Sequence, residues 1–572
     1  MKKHNFIALV RNKKAENKYY FDFTLQDPYE HLGLEYLQAS LEKFGYKVKL
    51  FDMVATEMES NYVLKEIKSI RPIIVGFSLE SHSLTESMKM AKEIKQELKD
   101  IHITVGGHLA TCAAVELLKD CNFFDSVVIG YGEQIIIEMA ERISNSLSLE
   151  GISGIFLRYG NQIIKNTPQE FPSNIDNIPF PTRSILRCCR SQGCLPSARM
   201  ITSRGCTFSC AFCTTPPFLI SQNCDKWMAR SPENVTDEIS ELISTFGTKV
   251  IIFCDDNFIG PGEFGRKRAK EIANLIIKRN LNIHFWILCR VDSFTIEDDT
   301  FLCLLKKAGL WGVSLGIESG SDSQLNAYKK QTSVAINESI VRLFKRNNII
   351  VECGFIMFYP YVTFHELKKN AKFLYGIEES SIFRYFTDRL ELYPKVGFIK
   401  DLKQRNLLID NYRYDSIYGY EFLDPRVEDF IRILDNIKTD VKFIDEIIWD
   451  FKRLSQLIVF FVDECQNIPT MHELAEELFQ IKKAFEDVES NIGKINYQEF
   501  LKYIEIIFDK KEHLKYNFVK DRHKNRLIKE IKRLIKHTKD LQKLENKLRG
   551  LEDGNLLECF FESSSYNRLC NL

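Results

Sequence analysis

Three cysteines fall within eight residues of the stretch RGCTFSCAFCTT: Cys206, Cys210 and Cys213. The C-x3-C-x2-C spacing puts three thiols on one short loop. Zinc is ordinarily held by four ligands in paired C-x2-C or C…H form, and no second pair follows at ribbon spacing. An iron–sulfur cube takes four thiolates. Three would hold three irons and leave the fourth with an open position, able to chelate a small molecule, so this spacing points to catalysis more than to structure. An incidental zinc site, or three cysteines packed as core residues, is the competing reading. Cys188, Cys189, Cys194 and Cys224 lie nearby but match no ligand pattern. Cys254, Cys289, Cys303 and Cys353 fall in or near apolar strands and helices, where core packing is the default role.

The cysteine loop needs elements to present it. From about 199 the chain alternates apolar strand patterns (ARMITSRG, KVIIFCDDNF, IHFWILCRVD, GVSLGIESG, VECGFIMFYP) with helical ones such as SPENVTDEISELIST. Ser231 can cap that helix, with Pro232 in its first turn. Five or six βα units over 195–420 predict a full or partial barrel whose site lies at the carboxyl-terminal mouth. The first 150 residues carry an earlier series: FIALV, KVKLFD, IIVGFS, HITVGG and SVVIGYGE, separated by amphipathic stretches. This predicts a parallel sheet with helices on both faces, binding its ligand beyond the strands' carboxyl ends. Ser78, Gly106, Gly107, His108, Gly130, Gly132 and Glu133 occupy those ends. Residues 151–194 are proline-rich and aperiodic and read as a linker. Beyond 421 the pattern is helical to the end, and the Lys/Arg-rich stretch 521–550 reads as a helix with a solvated basic face, or as a dock for an anionic substrate or carrier.

Composition narrows the partners. The chain of 572 residues balances 78 Lys and Arg against 78 Asp and Glu, which favours neither nucleic acid nor an anionic membrane. No run approaches 18 uninterrupted apolar residues; LIVFFV at 457–462 is the densest. The basic start has too short an apolar run for a signal peptide. Sixteen cysteines without an export signal predict a reducing compartment, the cytoplasm.

Taken with the aromatic Phe212 before its last cysteine, the motif resembles that of the radical S-adenosylmethionine (SAM) enzymes. The resemblance implies a [4Fe–4S] cluster on Cys206, Cys210 and Cys213. Its unique iron would bind SAM, whose reductive cleavage gives a 5′-deoxyadenosyl radical. FCDDNF resembles the second-strand motif of that family, with Asp255, Asp256 and Asn257 at the mouth. CRVD places Arg290 for the SAM carboxylate. SLGIESGS offers Glu318 and Ser319 as polar contacts to SAM, and Lys330 follows at a basic position. FIMFYPYVT departs from the family's Gly-x-Pro-Gly form around Phe358 to Tyr361.

The preceding α/β domain, with HLGLEYLQASLEKFGYKVKLFD, IVGFSLES, ITVGGHLAT and VVIGYGEQ, resembles that of the cobalamin-binding subfamily. The implied fold is a doubly wound, flavodoxin-like (Rossmann-type) sheet, a (β/α) partial TIM barrel and a C-terminal α-helical domain. The implied cofactor set is cluster, SAM and cobalamin. Gly106, Gly107, Gly130 and Gly132 would let backbone approach the corrin, Ser78 and Thr111 would bond its tail or amides, and His108 and Glu133 would stand at the rim. D-x-H-x-x-G is absent: in DPYEHLG, His31 lies four residues after Asp27, so His31 is not expected on cobalt. The implied reaction is methylation of an unactivated carbon or phosphorus of a small molecule or peptide through methylcobalamin. It would draw electrons from a flavodoxin- or ferredoxin-type donor. Ring closure, rearrangement or a redox step without methylation is the alternative, and a metal-stabilised binding module is the rival from another class.

Overall fold

The computed structural model describes residues 5–13, 30–169, 174–190, 197–222, 227–466, 472–508 and 516–548. Asp27, Cys194 and Cys224 lie outside them, as does the side chain of Cys189.

Seven strands form the first sheet: β1 Phe6–Arg11, β2 Lys47–Asp52, β3 Ile74–Ser78, β4 His102–Gly106, β5 Ser126–Val128, β6 Ile155–Tyr159 and β7 Gln162–Lys165. Their order is 2-1-3-4-5-6-7, and β1 to β5 are parallel. Alternation along β1 divides the core. Ile7 and Leu9 pack with Leu34 and Ile136 on one face, while Ala8 and Val10 pack with Val63, Ala91 and Leu117 on the other. A strand buried on both sides has to be apolar throughout, which is why FIALV reads as a continuous run. The 2-1-3-4-5 order is the flavodoxin-like one, with its topological switch between β1 and β3.

The expected linker of 151–194 is corrected in its first part. β5 pairs antiparallel with β6 and β6 with β7, so residues 155–165 are a hairpin closing the sheet. Its alternation, partly exposed in β6 and β7, is too short to stand out beside the longer helical patterns.

The second unit has β8 Ser197–Met200, β9 Ser203–Arg204, β10 Met228–Ala229, β11 Val250–Phe253, β12 His284–Arg290, β13 Leu310–Glu318 and β14 Ile350–Phe355. Five of these form one parallel sheet in the order β14-β13-β12-β11-β8, and β9 and β10 make a small antiparallel pair above it. This is a partial barrel. Three helices, Pro425–Gln466, His472–Phe508 and Tyr516–Leu548, pack beside its β14 end. Phe430 meets Phe358 and Phe364 at 6.1 and 5.7 Å between ring centroids, and Phe500 meets Phe386 at 5.0 Å. No helix among the described residues is long and apolar enough to cross a membrane.

A buried ionic knot fastens the two α/β units. Arg183 donates to Glu30 at 2.8 Å and to Glu238 at 2.7 Å, and Glu30 also accepts the Arg199 N–H at 2.9 Å. Arg183 and Glu238 are almost fully buried, so removing one partner would strand a charge.

Candidate active site

A cavity of about 610 Å³ lies where the strand ends of both units meet. Its volume is in the range of pockets that enclose a sizeable organic ligand. The first sheet contributes Leu9, Gly76, Ser78, Thr104, Gly106, Gly107 and Val128, followed by His108, Gly130, Gly132 and Glu133. The second contributes Ile201, Ser203, Arg204, Thr214, Phe218, Cys254 and Asp256, and Tyr393 and Pro394 close it from the segment before the helical domain.

Backbone conformation explains two of the glycines. Gly107 (φ +100°) and Gly130 (φ +83°) adopt a conformation that L side chains rarely take. At Gly130 an added Cβ would strike the Gln222 side chain, whose Oε1 accepts the Tyr131 N–H at 3.1 Å. Gly106 is different: a Cβ there would come no nearer than 3.8 Å to other atoms and would project freely. A backbone shelf of this kind fits a flat macrocycle laid against it.

His31 lines the cavity, and both its ring nitrogens are engaged. Nδ1 accepts the Leu34 N–H at 3.1 Å, capping the helix Leu32–Lys43, so the proton resides on Nε2. Nε2 lies 3.0 Å from Ser78 Oγ and donates to it. Burial drives the His31 pKa down to about 3, aided by the Arg11 charge, so the ring is neutral. A ring held in this tautomer has no lone pair facing the cavity to offer a metal. His108 stacks on Phe218 with centroids 4.2 Å apart, and burial lowers its pKa despite Asp256 nearby.

Thr111 corrects an expectation. It is buried, and its hydroxyl accepts the Gly130 N–H at 2.9 Å, so it holds the Gly130 turn rather than the cavity surface. Glu133 lines the cavity with its carboxylate paired to Arg204 at 2.5 Å. The Arg204 guanidinium also lies over Tyr131 (4.5 Å) and Tyr36 (5.5 Å), tying the residue two before Cys206 to the opposite wall. Arg204 has no periodic signature, and only its place before the cysteine motif could have marked it.

The cysteine loop runs from β9 to the helix Thr215–Ser221. All three thiols are partly buried. Burial pushes the Cys206 thiol up and Cys213 to about 11, so cluster assembly has to displace protons. Among the described residues no three metal-ligating side chains already converge. Three thiols on one loop nevertheless supply the donor set that a site-differentiated cube requires. The loop is braced from several sides. Ala211 donates to the Tyr328 carbonyl at 2.9 Å and accepts from Phe398 N at 3.1 Å. Arg290 donates to Cys210 Sγ at 3.2 Å while lying on the Phe208 ring, 3.5 Å from its centroid.

Arg290, Glu318, Ser319 and Phe212 do not line the cavity. Arg290 forms a two-point pair with Asp292 at 2.8 and 2.7 Å. Glu318 (φ +66°) ends β13 at a register shift and pairs with Lys330 at 2.8 Å, and Lys330 in turn lies 6.0 Å from the Phe212 ring. Ser319 is fully buried with its hydroxyl 2.8 Å from both Gln324 and Asn370, so its expected contact to SAM is corrected to a bond within the fold. The same correction applies to Asp255. Its carboxylate is 1% exposed and accepts from Thr202 N, Thr202 Oγ1 and Ser203 N at 2.7, 2.7 and 2.6 Å. Its neighbour Asp256 is the acid that reaches the cavity. Asn257 is buried and accepts from Ser293 and Trp227. Phe358 and Tyr359 are buried core residues, and Tyr361 is half-buried with its hydroxyl on Asp401 at 2.5 Å. Cys289 and Cys353 are core residues, but Cys254 lines the cavity and Cys303 is exposed.

Residues 23–140 match the family described as B12 binding domain, and residues 200–374 match the Radical SAM superfamily. The chain thus carries a B12-binding domain followed by a radical SAM domain. Its cofactors are therefore a [4Fe–4S] cluster, SAM and cobalamin. It is 29% identical over 344 residues to an uncharacterized methyltransferase of Pyrococcus horikoshii, covering 60% of this chain and 72% of that one. It is 27% identical over 346 residues to the anaerobic magnesium-protoporphyrin IX monomethyl ester cyclase of Rubrivivax gelatinosus, covering 59% of this chain and 60% of the cyclase. The solved structure of the cobalamin-dependent SAM radical enzyme OxsB, with aqua-cobalamin and SAM bound, superposes with a TM-score of 0.69. The match covers 99% of this chain and 83% of that one at 18% identity, which is a likeness of fold.

Proposed function

We propose that this protein methylates an unactivated carbon, or a phosphorus, of a small molecule or peptide. One observation carries the reading: a single cavity has the glycine shelf of the B12-binding domain on one side and residues flanking the cysteine loop on the other. When bound, the cluster and SAM supply a radical initiator and cobalamin supplies a methyl carrier. The chain's own part is placement. Gly106, Gly107, Gly130 and Gly132 admit the corrin, and Ser78, held by His31, offers its hydroxyl proton upward. Cys206, Cys210 and Cys213 hold the cluster. Arg290 sits against Cys210, and Glu318 at the end of β13 pairs with Lys330, whose ammonium lies 6.0 Å from the Phe212 ring. The relative named a methyltransferase supports this choice of reaction. A radical SAM cluster needs an external reductant, and a ferredoxin- or flavodoxin-type donor in the cytoplasm suits an oxygen-sensitive centre.

A second reading, cyclisation or another non-methylating step, is favoured by the relative named a cyclase. Reduced, cobalamin-loaded protein given SAM with a deuterated methyl group separates the two. Methylation predicts S-adenosylhomocysteine alongside 5′-deoxyadenosine, with the label on cobalamin or product. Production of 5′-deoxyadenosine alone, with no label transferred, would exclude it.

A further inference from the structure

The FCDDNF segment places two adjacent acids on opposite duties, and the second is absorbed by nothing described above. Asp256 bridges the two ends of the cysteine loop. Its Oδ2 accepts the Gly205 N–H at 3.1 Å, one residue before Cys206. Its Oδ1 accepts the Thr215 hydroxyl at 3.0 Å, two residues after Cys213. The whole cysteine motif is thus closed on one short side chain, three residues past the end of β11. Thr215 passes the restraint on, since its backbone N–H points at Cys213 Sγ at 3.4 Å.

The same carboxylate lines the cavity. Among the described residues no lysine or arginine forms an ion pair with it. Its negative charge therefore acts on its surroundings instead of being cancelled by a cation beside it. Arg290 provides the opposite sign at Cys210. The Asp256 side chain is exposed to the cavity, and a large ligand filling that cavity would exclude the water that screens its charge.

We propose that Asp256 is the positioning residue of the cluster. It clamps Gly205 and Thr215 around the three ligands, and it holds a fixed negative charge between cluster and cobalamin cavity that makes the cluster harder to reduce. The step concerned is the one-electron reduction of the oxidised cube by an external one-electron reductant. The added electron stays on the cube, and no proton moves. A cube that is harder to reduce is, once reduced, the stronger donor toward SAM. Hydrogen bonding and net charge around the sulfurs are known levers on such potentials. The inference rests on Cys206, Cys210 and Cys213 being cluster ligands.

The test is a redox titration of the anaerobically reconstituted full chain, followed by electron paramagnetic resonance of the reduced cluster, together with the rate of iron loss to a chelator. Asp256→Asn should make reduction easier by at least tenfold in equilibrium constant, 59 mV for one electron. Thr215→Val keeps the charge, so its potential should stay at the wild-type value while iron is lost several-fold faster. A wild-type potential in Asp256→Asn overturns the electrostatic part, and wild-type iron loss in Thr215→Val overturns the clamp. If Asp256→Asn does not fold, the Thr215→Val release rate decides, and a wild-type rate overturns the proposal. Absence of any cluster signal in the wild type would instead overturn the assignment of the three cysteines.

Discussion

On its N-terminal wall five glycines, Gly76, Gly106, Gly107, Gly130 and Gly132, expose backbone between the side chains, and the neutral His31–Ser78 pair lines the cavity with them. On its barrel wall it is side chains: Arg204 committed to Glu133, Asp256 to both ends of the cysteine loop, and Phe218 to His108. The first wall has the shape to admit a large ligand, and the charge of its Glu133 is paired with Arg204. The second sets charge beside the cysteine loop, with Arg204 paired to Glu133 and, among the described residues, the Asp256 carboxylate held by hydrogen bonds without an ion pair. A cofactor that must be carried and one that must be poised ask for different surfaces, and placing them face to face lets each be built separately.

The sharpest way to break that separation is Cys210→Ala. It removes one of three protein ligands, so cluster iron and SAM cleavage should be abolished. Cobalamin affinity belongs to the other wall and should stay within about twofold. Joint loss of both cofactors, measured by iron analysis and cobalamin absorption, would show that the walls do not act separately.

Asp255→Ala tests the contrast within one wall. Its three buried donors would be left without an acceptor, and a cost of roughly 3 kcal/mol is expected in denaturant unfolding of the cofactor-free chain. The rate of iron loss from refolded, reconstituted protein should be little changed, unlike the Thr215→Val case. A cluster that falls out of Asp255→Ala while its stability is normal would reverse the roles given to the two acids.

The smallest effect belongs to the shelf. His31 is held neutral with its pKa near 3, so the folded chain binds fewer protons than the unfolded one between about pH 6.5 and pH 3. Stability should fall as pH drops through that window, by about 1–2 kcal/mol from His31 alone at pH 5. His31→Gln should flatten this part of the profile in thermal unfolding at pH 7 and pH 5. An unchanged slope would mean that the ring is not held as its two bonds require.

Much of this was legible in the residues themselves. Five strands of each sheet show as apolar runs because strands covered on both faces have no polar side, and the shelf glycines show because they punctuate strand ends. The hairpin at 155–165 escaped because its strands are half exposed and neighbour proline-rich chain. Two of the corrections at the site, Asp255 and Ser319, share one cause. Asp255 and Asp256, or Glu318 and Ser319, are adjacent at a strand end, where successive side chains point to opposite sides. Composition says that an acid stands there but not which of two faces the mouth. Partner choice, such as Arg204 on Glu133 or Arg290 on Cys210, joins residues far apart in the chain and leaves no local pattern.

In the proposed function cluster and cobalamin face each other across one cavity, with no histidine on cobalt. Electron paramagnetic resonance of cobalt(II) cobalamin in the loaded protein tests it most directly, recorded with the cluster oxidised and then reduced, in wild type and in Cys210→Ala. The structure predicts a cobalt spectrum without nitrogen superhyperfine splitting from a histidine. It also predicts that reducing the cluster broadens the signal or speeds its relaxation in wild type but not in Cys210→Ala. A nitrogen splitting that vanishes in His31→Ala, or a cobalt signal indifferent to the state of the cluster, would contradict it.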